Sequence, residues 1–215
     1  MSSSNFSLRL SLFNAFLFLG SGIQLPFLPL WLKGEGLRES EIALVMASMM
    51  AIRVLAMPLG TYLADVFGQR RRVVIVSAFG SFLCYLMLQF ADGFVPILII
   101  AMMAGAFFAP VGPLVEVLAI EGSVHYGLDY GRIRMWASLS FLSGSLIAGA
   151  LLEVVPVGSV ILLIAGAQGH GALVTLILPA DHAITKANAA PIRIGAVMAC
   201  VTAASFVIFA AASSI

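Results

Sequence analysis

Three ionisable side chains in this sequence lie within long apolar runs, where a charge is costly to keep. Arg53, Glu116 and Arg134 each have mostly apolar neighbours on both sides. A charged group inside a bilayer costs a few kcal/mol and normally faces a partner or a water-filled cavity. Such groups support ion pairing and the binding of a charged or hydroxyl-bearing solute, because a guanidinium matches the geometry of a carboxylate.

Glu116 and Arg134 are predicted to meet each other. They lie in successive apolar runs joined by the polar segment 121–131, Glu116 about five residues before it and Arg134 about three after it. Their depths therefore agree to within about one helical turn. This spacing fits a structural salt bridge that neutralises both charges and equally a solute-binding pair.

Arg53 has no partner at local spacing. Methionines at 46, 49, 50 and 57 surround it, which indicates an adaptable helix face. Three roles fit: Arg53 holds a carboxylate substrate, extends towards the membrane surface, or pairs with a residue outside this chain.

Other polar groups within the apolar runs have a functional and a structural interpretation. Asn14, Ser21 and Gln24 share one stripe of the first run, which suits either a pore lining or hydrogen bonding between helices. For His170, near Gln168, packing as a neutral histidine is favoured over a proton relay. The 109–113 segment carries two prolines that interrupt backbone hydrogen bonding and predict a cavity near Glu116.

Composition assigns the chain to the membrane. It has 215 residues, 61% hydrophobic and 10% charged, against roughly 25% charged in an ordinary soluble domain. The net charge of +1 gives no reason to expect nucleic acid as a partner. Cys84 and Cys200 fall within apolar runs and indicate packing. The three histidines are scattered and no catalytic motif is present, so we expect no metal, no cofactor and no enzymatic activity.

Long apolar windows predict an all-α, multi-pass membrane protein with seven spanning helices. The predicted spans are approximately 9–32, 41–64, 72–91, 94–121, 131–153, 157–179 and 192–211. Residues 1–180 would form a six-helix bundle, 181–191 a cytoplasmic linker and 192–215 a seventh helix. Lysines and arginines collect on one side of this topology, which predicts a cytoplasmic N-terminus.

The 60–72 loop resembles the signature loop of the major facilitator superfamily, in which an aspartate is followed by a glycine and an arginine pair. Asp65, Gly68, Arg70 and Arg71 match that pattern, whereas Val66 stands where a basic residue is common. Segments 25–37, 107–119 and 128–145 are similar to the phenylpropionate-permease-like branch, which is related to the galactoside/proton symporters. The resemblance implies a cytoplasmic gating loop made by those four residues.

The resemblance also implies a function and a site. In galactoside permeases an acidic residue and an arginine eighteen positions later bind the sugar, and Glu116 and Arg134 have that separation. Phe141 stands where those permeases stack a tryptophan on the sugar. The expected substrate site is therefore Glu116, Arg134, Arg53, Asn14, Gln24 and Phe141. The expected function is proton symport of a small organic solute such as an aromatic carboxylate across the inner membrane, with a sugar or nucleoside as the alternative.

Members of this superfamily have twelve helices in two halves, with the transport path between them. This sequence ends just after the seventh predicted span. We therefore expect either a truncated product or a half that works with a second half or as a homodimer. A non-transporting membrane scaffold is the alternative from another functional class.

Overall fold

The computed structural model describes residues 3–127 and 129–176, and within these ranges the chain is helical apart from short connections. The elements are α1 (Ser3–Gly34), α2 (Glu39–Phe67), α3 (Arg70–Leu88), α4 (Phe94–Phe108), α5 (Val111–Tyr126), α6 (Tyr130–Leu151), a 3₁₀ turn (Val157–Ser159) and α7 (Val160–Thr175). The prediction of an all-α membrane protein is confirmed. The predicted linker at 181–191 and seventh span at 192–211 lie outside the described residues.

Five helical segments of the described chain are long and apolar enough to cross a bilayer, and they correspond to predicted spans one to four and six. They are Leu10–Gly34, Glu39–Phe67, Arg70–Leu88, Phe94–Glu121 and Val157–Thr175. Helix α6 covers the fifth predicted span, and its 22 residues would reach about 33 Å. It is not among the five apolar segments, and it carries Arg132, Arg134 and four serines.

The fourth span is two helices rather than one. Helix α4 ends at Phe108 and α5 begins at Val111, so the interruption lies at the start of the proline-containing segment. Pro110 has no N–H to donate, and its carbonyl accepts from the Leu114 N–H at 3.2 Å to start the next turn. On α2, Gly60 faces this break: a Cβ there would lie 2.5 Å from the Pro110 Cβ. The α2–α4 contact is therefore shaped around the proline.

Helices α1 and α6 approach each other so closely that only glycine fits at two positions of their contact. A Cβ on Gly22 would overlap the Phe141 carbonyl oxygen, and one on Gly144 would lie 2.6 Å from the Leu19 carbonyl oxygen. The Ser145 hydroxyl donates to the Gly22 carbonyl at 2.7 Å. Small residues that let two backbones meet are typical of membrane helix pairs. We call this contact the α1–α6 seam.

The other helices pack in a fixed order around a common interior. Helix α7 lies against α1 and α3, α3 also lies against α4, and α4 lies against α2. Trp31 of α1 and Tyr85 of α3 are among the largest fully buried side chains. Helix α2 is the least covered of the five apolar segments, with 11% of its most apolar stretch buried. The side of the bundle formed by α2 is therefore largely exposed.

Candidate functional site

Glu116 and Arg134 form an ion pair, as their spacing predicts. The Arg134 Nη1 donates to the Glu116 Oε2 at 2.8 Å. Helix α5 carries Glu116 and α6 carries Arg134, and the turn between them is fixed by two local features. Gly127 adopts a left-handed backbone with φ of +62°, and the Asp129 carboxylate caps α6 by accepting from the Gly131 N–H at 2.8 Å. The sequence therefore sets the reversal that brings the two charges together.

A phenylalanine ring holds the other face of the Arg134 guanidinium. The Arg134 Cζ lies 5.2 Å from the centre of the Phe18 ring, which is carried by α1. Cation–π contacts of this kind favour a fixed orientation of the guanidinium. The Arg134 side chain is still 47% exposed and that of Glu116 is 23% exposed. The pair is thus assembled by three helices and is partly exposed.

Arg53 lies in a different environment on α2. Its Cζ is 5.4 Å from the centre of the Phe108 ring at the end of α4. The Arg53 Nε is buried and has no hydrogen-bond partner. Within 3–127 and 129–176, no ion pair involving Arg53 is formed. The structure therefore brings Arg53 to an aromatic ring and not to the Glu116–Arg134 pair.

The remaining predicted substrate residues lie on the α1 side of the bundle and are mostly packed. Asn14 is 4% exposed and its Nδ2 donates to the Leu10 carbonyl at 3.2 Å, back onto its own helix. Gln24 is 5% exposed. Phe141 is half-buried, and its backbone forms part of the α1–α6 seam. Among the described residues, no hydrogen bond joins Asn14, Gln24 or Phe141 to Glu116 or Arg134.

The signature-loop residues form a network at one end of the bundle. Gly68 ends α2 in a left-handed conformation, with φ of +59°. The Arg70 guanidinium binds the Asp65 carboxylate at 3.1 Å and the Glu121 carboxylate at 2.9 Å. The Arg71 Nη2 donates to the Leu176 carbonyl at 2.6 Å. These contacts tie together the ends of α2, α3, α5 and α7.

Several residues of these sites were not identified from the sequence. Phe18 and Phe108 orient the two arginines, and Glu121 shares Arg70 with Asp65. Glu121 had a detectable signal, since it is an acidic residue at the polar end of a span facing a predicted arginine cluster. The two phenylalanines had none, because the sequence is rich in aromatic residues throughout.

The described residues contain no group of three or more histidine, cysteine, aspartate or glutamate side chains that would suit a metal ion. Cys84 is a free, buried thiol of α3, and Cys200 lies outside the described ranges.

The His170 Nδ1 lies 2.7 Å from the Gly166 carbonyl oxygen, and the ring stacks on Phe16 with the ring centres 6.2 Å apart. In the neutral ring that contact requires the proton on Nδ1, which leaves Nε2 as an acceptor.

Comparison with known proteins identifies the family. The model of the MFS_1 like family matches residues 7–215. A protein of Escherichia coli (strain K12) described as a "Probable 3-phenylpropionic acid transporter" is 35% identical over 141 residues, which is 63% of this chain. The matched segment spans 36% of that relative's length. The resemblance seen in the sequence is confirmed: this multi-pass membrane protein belongs to the MFS_1 like family of the major facilitator superfamily.

Proposed function

We propose that the protein takes part in secondary transport of a small organic acid across a membrane, with the Glu116–Arg134 pair as the solute anchor. The observation that carries the proposal is the 2.8 Å bond between Arg134 Nη1 and Glu116 Oε2, made between membrane helices and left partly exposed. The relative described as a probable 3-phenylpropionic acid transporter supports an aromatic carboxylate as the solute.

The ion pair allows the carboxylate bound to Arg134 to be exchanged for that of a solute. A solute carboxylate and the Glu116 carboxylate compete for the same Arg134 guanidinium, since each offers two oxygens to the planar donor fork. Protonation of Glu116 removes its charge, weakens its hold on Arg134 and frees the guanidinium for the solute anion. Solute and proton would then bind together, which is the requirement for symport. Phe18 keeps the guanidinium in position while its carboxylate partner changes.

The proposal includes an orientation for the chain. The Asp65–Arg70–Glu121 network and Arg71 lie at the same end of the bundle as Arg72 and Arg132. Basic residues concentrate on the cytoplasmic side of membrane proteins, which supports a cytoplasmic location for this end and for the N-terminus. By holding the ends of α2, α3, α5 and α7 together, this network would keep the cytoplasmic side closed.

Uptake of radiolabelled 3-phenylpropionate tests the proposal. The chain is reconstituted in proteoliposomes with an acidic exterior, with and without an uncoupler. We expect uptake that the uncoupler abolishes and that Arg134→Gln lowers by at least about tenfold, since a charged hydrogen bond contributes roughly 1.5–3 kcal/mol.

Arg132→Gln is the matched control, because Arg132 lies two residues earlier on α6 and is exposed. It removes the same charge without touching the pair, so uptake should stay close to that of the unmodified chain. Equal uptake by the Arg134→Gln and Arg132→Gln chains would contradict the assignment of the anchor. Uptake that persists with the uncoupler would contradict proton coupling.

A further inference from the structure

Helix α6, which carries Arg134, depends on α1 for its position in the bundle. Among the described helices it packs mainly against α1 and makes only a small contact with α5. Its buried residues in the described chain are Ala137, Gly144 and Ala148, whose spacing puts them on one face. The position of Arg134 is therefore set by two connections, the short turn from α5 and the α1–α6 seam.

The α1–α6 seam is a contact between backbones, so it cannot adjust by rotation of a side chain. A Cβ on Gly144 would lie 2.6 Å from the Leu19 carbonyl oxygen, and one on Gly22 would overlap the Phe141 carbonyl oxygen. The Ser145 hydroxyl joins the two helices by donating to the Gly22 carbonyl at 2.7 Å. The seam therefore fixes one register between α1 and α6.

The contact between Phe18 and Arg134 lies beside this seam on the same two helices. Phe18 is one turn before Gly22 on α1, and Arg134 is two turns before Phe141 on α6. Residues at these spacings share a helix face, so the register of the seam also sets how the ring meets the guanidinium. The Glu116 contact differs in origin, because a short turn joins α5 to α6 and keeps that pair close.

We propose that three residues of the seam are positioning residues for the solute anchor, namely Gly22, Gly144 and Ser145. They hold α1 and α6 at the register in which the Phe18 ring faces the Arg134 guanidinium. The ring restricts the planar donor fork to one orientation, in which both donors are directed at one carboxylate. The inference rests on the proposed function for the role of Arg134 as anchor, whereas the geometry is tested without any solute.

Fluorine NMR of the full chain in lipid nanodiscs tests the geometry, with 4-fluorophenylalanine in place of Phe18. The Arg134→Gln chain gives the reference resonance of a ring that has lost its cation. We expect Ser145→Ala to move the resonance towards this reference, because the hydroxyl that joins the two helices is removed. Ser143→Ala is the matched control, since the Ser143 hydroxyl donates to the Leu139 carbonyl of its own helix at 2.8 Å. It should leave the resonance in place.

Gly144→Ala should move the resonance further than Ser145→Ala. Its methyl group would meet a backbone oxygen, so the helices themselves have to separate. Gly149→Ala is the control on the same helix, because a Cβ there would lie 3.6 Å from the Phe27 ring, an ordinary van der Waals contact. If Gly144→Ala prevents folding, Ser145→Ala, which adds no atom, still decides the question.

Binding of radiolabelled 3-phenylpropionate, measured by equilibrium dialysis, separates positioning from a general loss of structure. Phe18→Leu should weaken binding by roughly threefold or more, as expected for a lost cation–π contact. Ser145→Ala should weaken binding by up to the same factor. In the double variant Ser145→Ala should cause no further loss, because the ring through which it acts is already absent.

The proposal is overturned if neither Ser145→Ala nor Gly144→Ala moves the fluorine resonance. It is also overturned if the losses of affinity in Ser145→Ala and Phe18→Leu multiply in the double variant. Failure of the proposed function has a different signature, namely binding of 3-phenylpropionate that does not respond to Arg134→Gln while the resonance still follows the seam. Each hypothesis can therefore fail without the other.

Discussion

Arg53 and Arg134 both lie in helices of the membrane bundle, but the groups that surround their guanidinium groups differ. Each guanidinium lies over a phenylalanine ring, at 5.4 Å from Phe108 and 5.2 Å from Phe18. Only Arg134 also has a carboxylate, at 2.8 Å. Aromatic stacking thus orients both cations, whereas charge compensation is present at one of them.

This difference determines what each arginine would have to give up to bind an anion. A balanced pair is stable in the empty protein and has to exchange its internal carboxylate to bind an anion. An unbalanced cation is unfavourable in the empty protein and gains the full benefit when an anion arrives. An anion that binds Arg134 must therefore displace Glu116, whereas an anion that reached Arg53 would displace no carboxylate of the described chain.

Glu116→Arg should have the largest effect, because it places two like charges at the position of the pair. We expect severe loss of folded protein in the membrane, measured by size-exclusion chromatography in detergent. The charge-swapped Glu116→Arg/Arg134→Glu chain should recover most of the yield, while solute uptake stays low because Phe18 no longer faces an arginine. A swapped chain that folds as poorly as the single variant would show that the pair is not the relevant contact.

Phe108→Glu should give Arg53 a carboxylate partner like the one that Arg134 has. A carboxylate in place of the ring lies close enough to Arg53 to balance its charge, so the variant should gain stability from the new ion pair. Phe108→Gln is the matched control of the same shape. We expect the Glu variant to be more stable than the Gln variant by about 1–3 kcal/mol, and this gap should disappear when Arg53→Gln is added. A gap that survives Arg53→Gln would exclude an ion pair as its cause.

Loss of either ring should lower the stability by a smaller amount, and the two losses should not be equal. Phe108→Leu and Phe18→Leu each remove a cation–π contact worth about 0.5–2 kcal/mol. We expect Phe108→Leu to lower the melting temperature more, because Arg134 keeps its carboxylate and Arg53 does not. Thermal unfolding of the two purified variants makes the comparison, and an equal or reversed order would contradict it.

Asp65→Asn should have the smallest effect on stability. Arg70 retains Glu121 at 2.9 Å, and the Asp65 side chain is 41% exposed, so the lost interaction is worth about 1 kcal/mol or less. We expect a small change in melting temperature, with Glu121→Gln slightly more harmful because Glu121 is the less exposed partner. A large loss in Asp65→Asn would show that the network stabilises more than the end of the bundle.

The sequence predicts those parts of the molecule that depend on position along the helix axis. The depth of Glu116 and Arg134 follows from their distance to a shared polar connection, and the break near Pro110 follows from proline chemistry. The ring partners Phe18 and Phe108 depend on how each helix is rotated about its axis. Helices that are apolar on all sides carry no periodic signal for that rotation. The stacking of both arginines therefore became visible only in the packed bundle.

The α1–α6 seam limits how this protein can change shape. A slide of α1 along α6 by one helical turn, about 5.4 Å, would bring Phe18 or Pro26 to the place where Gly22 already meets the Phe141 carbonyl. We therefore expect α1 and α6 to move together as one rigid unit, and Phe18 and Arg134 to move with them. Helix α2, by contrast, is thinly covered, so packing within the described bundle restrains its movement far less.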